Sequence, residues 1–185
     1  MRNKGVVYTS KTGTTGPCGI CRDRRRWRHQ FRHCAGDDGA ALRIDADIRG
    51  IDEIEQALEQ TRCSRVKYLF ITHENFDHSS ANDYYENHGA IIIASKGCLD
   101  ALKDEGDDKF AEMSDGRPAL FELYPGLKMR LPHIVFSDRL PVNLPGATVH
   151  LKHYDQSHSR GDATAYFAED AYSLPSICSI QSSIP

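Results

Sequence analysis

The chain has 185 residues, enough for one domain with a sizeable core. A net charge of -3, with 39% hydrophobic and 26% charged residues, excludes both a disordered chain and a global attraction to nucleic acid or an anionic membrane. No apolar run reaches membrane-span length and Met1–Val7 lacks the apolar core of a secretory leader, so a cytoplasmic protein is expected, with its six scattered cysteines as free thiols.

Residues 1–34 run through Thr and Gly into an arginine cluster around Trp27, show neither helical nor strand periodicity, and are predicted to be irregular. Residues 35–170 carry the patterning of a folded α/β domain. Ala40–Ala46 predicts a short strand that Arg43 interrupts. Ile51, Ile54, Ala57 and Leu58 recur at helical spacing and predict an amphipathic helix over Ile51–Thr61. Val66–Ile71 is a compact run of strand formers. Ser79 or Ser80 is expected to cap a helix that ends at Gly89, a natural left-handed C-terminus. Ile91–Ala94 predicts a buried strand and Cys98–Glu105 a short helix, followed by a polar connection rich in Asp and Gly. Leu140, Val142 and Leu144 alternate up to Pro145-Gly146, with Ala147, Val149 and Leu151 beyond, which predicts a β-hairpin. Ala163, Ala165 and Phe167 alternate again. Residues 171–185 continue neither period. Strands alternating with helices and then hairpins predict an α/β sandwich of mixed sheets.

The residues that carry chemistry sit in two loops. His73, Asp77 and His78 follow directly on a buried strand, where a loop can aim several side chains at one point. Imidazoles with a carboxylate suit Zn²⁺ first, then Fe or Mn. His158 lies in a second loop that Gly161 lets turn tightly, and Asp162 is expected to fix that loop by accepting backbone donors.

Thr72-His73-Glu74-Asn75-Phe76-Asp77-His78 resembles the His-x-His-x-Asp-His loop of metallo-β-lactamase-fold hydrolases. Ser157–Asp162 resembles their Gly-His-(Ser/Thr)-x-Gly-Asp loop, and Asp37-Asp38-Gly39-Ala40 through Asp45 resembles their upstream strand ending in aspartate. The three occur in the family's order. The resemblance implies a four-layer αββα sandwich, incomplete at both ends of this chain, with one or two metal ions at the sheet edge and a small-molecule substrate. It implies His73 and His158 as ligands of one metal, with Asn75 between them, and Asp77 and His78 as ligands of a second. Asp77 is also the expected catalytic residue, orienting a water. Asn75 stands where the commonest pattern has a second histidine, although a branch with Asn at that place exists. The family's bridging aspartate has no counterpart in Ala171–Pro175, and its last histidine has none at all. The expectation is weak metal binding and impaired hydrolysis of an unidentified substrate, or else a non-catalytic binding protein or remnant of the same fold.

Two further signals lie near the start. Cys18-Gly19-Ile20-Cys21, with His33 and Cys34, has the ingredients of a zinc knuckle but lacks a second Cys pair. Arg22 to Arg32 with Trp27 and Phe31 resembles a nucleic-acid-binding arm. Codons for Trp27–Cys34 and Ala171–Pro185, read out of frame, can yield family-like strands. A frameshift at both ends is therefore the expectation preferred over a basic arm, and the ends are expected to cover Val66–Ile71 and Ile91–Ala94 poorly.

Overall fold

The structure, a computed structural model, describes residues 7–9, 18–22, 30–61, 63–116, 118–154 and 158–167; for 7–9, 18–22, 30–32, 34, 35 and 167 it describes the backbone alone. The expected out-of-frame tail from Ala171 and the loop residue Ser157 lie outside these residues.

Among the described residues the strands form two sheets. The first is mixed, in the order β1 (Val7–Thr9), β2 (Cys18–Arg22), β3 (Gln30–Ala35), β4 (Ala40–Ile44), β5 (Arg65–Ile71), β6 (Ile91–Ser95), β7 (Ile134–Phe136). Pairing is antiparallel from β1 to β4 and parallel from β4 to β7. The second sheet is the antiparallel set β8 (Arg139–Leu144), β9 (Ala147–His153) and β10 (Ala163–Phe167), in the order β10-β9-β8. Strands β8 and β9 are the predicted hairpin, turned by Pro145-Gly146 with Gly146 at φ +78°.

Alternation along each strand splits the core in two. Ala41, Val66, Leu69, Ile71, Ile92 and Ala94 face the helices α1 (Ile51–Gln60), α3 (Asn82–Asn87) and α4 (Lys96–Gly116). Leu42, Ile44, Phe70, Ile93 and Phe136 face the second sheet, where Val142, Val149, Leu151 and Ala165 meet them. Strands β5 and β6 are thus covered on both faces by residues between 40 and 165, so the poor cover expected from the chain ends does not leave these two strands bare. The predicted αββα order appears among the described residues as helices, sheet, sheet; the outer face of the second sheet carries Thr148, His150, Lys152, Thr164 and Tyr166. No described helix is long and apolar enough to cross a membrane.

Several sequence expectations need correction. The segment read as irregular before Ala35 contributes β1, β2 and β3, because ladder pairing with β4 supplies what local patterning lacked. Arg43 does not interrupt β4; it is buried inside it. Neither serine caps α3, whose N-cap is Ala81. Ser80 Oγ instead accepts from Ile48 N at 3.0 Å, and Ser79 Oγ donates to the Glu74 and Asn75 carbonyls. Gly89 does end α3 in the left-handed region, at φ +84°. The helix predicted over Cys98–Glu105 runs on to Gly116. Its Asp-rich stretch is solvated while Ala101, Leu102 and Gly106 stay buried, so tertiary contact carries a helix that composition alone would have ended.

Candidate metal centre

The parallel strands β4, β5 and β6 all end at one edge, where open α/β sheets place their ligands. Asp45 follows β4 and Thr72 to His78 follow β5. Ser95 closes β6, and the 158–162 loop leads into β10. Thr72 O accepts from Ala163 N at 2.9 Å, so the two sheets meet at this edge.

The histidines of the two predicted loops come together. The ring centroids of His73 and His78 are 3.9 Å apart, and those of His73 and His158 are 5.4 Å apart. Asp77 lies in the first turn of the four-residue helix α2 (Phe76–Ser79), and its Oδ2 lies 3.5 Å from His78 Nε2. Asn75 meets the second loop, its Nδ2 lying 3.3 Å from His158 Nε2. An amide that ligates a metal does so through its oxygen; here the amide nitrogen faces the imidazole and donates to it.

Beneath these rings lies Asp45, which follows β4 and was not among the expected site residues. It is 8% exposed and sits at φ +52°, a left-handed conformation that Asp tolerates better than most residues. Its carboxylate accepts from Thr72 N at 2.8 Å, from Thr72 Oγ1 at 2.8 and 3.0 Å, and from His78 Nδ1 at 2.9 Å. These bonds decide the tautomers. The single Thr72 hydroxyl proton goes to Asp45, so His73 Nδ1, 3.1 Å from that oxygen, must be the donor. His78 Nδ1 likewise donates to Asp45. In the neutral rings each Nε2 then carries the lone pair, and that of His78 lies 3.5 Å from Asp77 Oδ2. The signal that could have found Asp45 is its place at the end of a buried strand.

Charge follows geometry. Burial pushes the Asp45 carboxyl up, but His78 and the Thr72 N–H outweigh it and hold it below the usual carboxylate range. Burial lowers His73, and the neighbouring His78 lowers it further, which keeps its ring neutral. Burial also opposes the charge on His78, yet Asp45 and then Asp77 raise it above the ordinary value, so a proton competes for its Nε2. Asp162 works as expected. Its Oδ2 accepts from His158 N at 2.5 Å and Ser159 N at 3.1 Å, and its Oδ1 accepts from Ser159 Oγ at 2.8 Å.

No family model matches the sequence, and no curated protein matches it. Solved structures do. The native FEZ-1 metallo-β-lactamase from Legionella gormanii superposes with a TM-score of 0.61 at 17% identity, covering 82% of this chain and 55% of that one. A metallo-β-lactamase from Pontibacter korlensis gives 0.64 at 10% identity, over 90% of this chain and 68% of that one. The class B3 di-zinc metallo-β-lactamase LRA-12 from an Alaskan soil metagenome gives 0.60 at 14% identity, over 82% and 54%. The chain has the metallo-β-lactamase fold. It spans about half the length of FEZ-1, 55% of that chain. At these identities the likeness concerns architecture alone.

In donor chemistry the edge of this metallo-β-lactamase fold fits zinc: three imidazoles, a carboxylate and an amide. In geometry it is not preformed. Among the described residues no group of three or more His, Cys, Asp or Glu side chains converges closely enough to hold an ion as the side chains stand. The zinc-knuckle expectation finds its histidine elsewhere: His33 is buried with Nε2 2.6 Å from Thr61 Oγ1, while the Cys18, Cys21 and Cys34 side chains lie outside the described set. The same holds for the arginine side chains from Arg22 to Arg32.

Proposed function

We propose that this chain is a metal-dependent hydrolase of the metallo-β-lactamase type whose metal site is weak and whose activity is low. The observation that carries the reading is the buried Asp45, whose bonds fix the tautomers of His73 and His78 so that each Nε2 carries a lone pair, with the His158 ring 5.4 Å from that of His73. His73, His158 and Asn75 would hold one Zn²⁺, and Asp77 with His78 would contribute to a second; Fe or Mn are the less suited occupants. The chemistry a bound zinc supplies is Lewis-acid polarisation of a substrate carbonyl or ester oxygen and activation of water near neutral pH. Asp77, with its side chain 40% exposed, would accept a proton from a water and orient it. The substrate class is a small hydrolysable ester, thioester, lactone, lactam or phosphoester.

The test is metal content. Plasma mass spectrometry on purified protein should find zinc at or below one ion per chain, falling to background in the His73→Ala, His158→Ala double variant. Unchanged zinc in that variant would sink the assignment.

Asn75→His should tighten binding, because it replaces an amide with an imidazole on the His73–His158 side. The gain is at most one full ligand's share, about 3 kcal/mol if a four-ligand zinc site is shared evenly, or up to roughly a hundredfold in Kd. Competition against a chelating dye measures it. An unchanged Kd would place the residue-75 side chain outside the site.

The Asn75–His158 hydrogen bond favours a second reading, a non-catalytic binding module, since it occupies His158 Nε2 with an amide N–H. Zinc binding with no turnover of ester, thioester, lactone or phosphoester substrates, even in Asn75→His, would support that reading over hydrolysis.

A further inference from the structure

The 158–162 loop is held from behind by the junction of β6 and α4, where chain separation in sequence hides a close fit. Ser95 is fully buried; its Oγ donates to Gly161 O at 2.8 Å and accepts from Cys98 N at 3.1 Å, so one hydroxyl caps α4 and anchors the loop. Two residues on, Gly97 lies against Arg160. A Cβ there would collide with the Arg160 carbonyl oxygen, sit 2.7 Å from its carbon and 3.3 Å from His153 Nε2. The His153 ring nitrogen is itself 3.3 Å from that carbonyl, leaving it no room to retreat. Gly161 is equally enclosed: a Cβ would sit 2.6 Å from Glu74 Oε2 and 2.7 Å from Cys98 Cβ.

Glycine at the second position of a helix has no helical advantage over alanine. Here φ is not positive, so the close backbone approach alone explains it. We propose that Ser95 and Gly97 are positioning residues for His158, setting how far its ring reaches toward His73. The consequence for metal rests on the function proposed above; the positioning itself does not. Any side chain at residue 97 drives the Arg160 carbonyl outward and carries His158, two residues away, with it. Loss of the Ser95 hydroxyl frees the Gly161 carbonyl and loosens the same loop.

The experiment has a metal-free arm and a metal arm. In the metal-free chain, amide exchange of His158 and Ser159, both bonded to Asp162, should quicken by at least about tenfold in G97A and S95A. Leu151 and Ala165 amides in the core should hold, and S95T should restore protection. In the metal arm, Co²⁺ affinity should fall by about 10–100-fold in G97A, the range for residues that orient a ligand. That loss should vanish in an H158A background, because the residue acts only through His158. Unchanged loop exchange in G97A and S95A overturns the proposal, as does global unfolding of S95A, which would make the junction a general support. A chain whose Co²⁺ binding does not depend on His158, yet whose loop exchange responds as stated, refutes the metal reading and leaves the positioning standing.

Discussion

Asp45→Ala is expected to destabilise the protein by about 3–5 kcal/mol, the range for removing one partner of a buried charged pair. The carboxylate is the shared acceptor of the Thr72 N–H, the Thr72 hydroxyl and the His78 ring, all at the junction of the two sheets. Without it a buried amide N–H has no acceptor, which alone costs about 1–3 kcal/mol. Alanine in the left-handed region adds about 1–2 kcal/mol that aspartate, with its local hydrogen bonding, partly avoids. Asp45→Gly separates the two contributions, since glycine carries no backbone penalty there. It should recover about 1 kcal/mol of the loss and no zinc. Asp45→Asn is the more telling change. Asparagine keeps the shape and the left-handed turn, but with its oxygen on Thr72 its NH₂ faces His78 Nδ1. The ring must then accept at Nδ1 and carry its proton on Nε2, the nitrogen meant for metal. Stability should fall less than in Asp45→Ala while zinc affinity falls as far. Urea denaturation and dye competition on the three variants read these out, and Asp45→Asn binding zinc like the parent would disprove the tautomer argument.

Acid is expected to destabilise the chain between pH 6.5 and pH 4 through His33. This residue, in β3 opposite Arg43 of β4, is 1% exposed. Burial, and then the Arg43 charge, lower its pKa to about 4 from 6.5. The sign follows from proton counting. Above pH 6.5 the ring is neutral whether the chain is folded or unfolded, so His33 makes no difference. As pH falls from 6.5 to 4 the unfolded chain takes up a proton that the folded chain refuses, and stability drops. At about 1.4 kcal/mol per unit the full effect is about 3 kcal/mol, reached near pH 4 and constant below it. Urea midpoints at pH 7, 5.5 and 4 measure it, with His33→Gln as the comparison that should lack this portion of the slope. Equal slopes in the two proteins would place the acid sensitivity in the carboxylates instead.

Local spacing determined much of this protein. The apolar residues of Ile51–Thr61 could satisfy only a helix with one buried face, and that helix formed with Ile51, Ile54, Ala57 and Leu58 inside. The Pro145-Gly146 turn and its flanking alternation likewise carry their hairpin in a dozen adjacent residues. The histidine loops were legible because ligand types cluster within a few residues, after a strand that any reader of hydrophobicity finds. What the tertiary structure decided lies between segments far apart in the chain. Asp45 and His78 are 33 positions apart, Ser95 and Gly161 are 66, and Asn75 and His158 are 83, so no window of sequence contains both members of any pair. Burial of His33 and Arg43 is decided the same way. A charged or titratable residue on a strand reads as solvent-facing until the helices above it are placed, and only then does its desolvation set its proton affinity. Gly97 is the plainest instance: it spoils a helix in sequence, and its reason is a carbonyl arriving from residue 160.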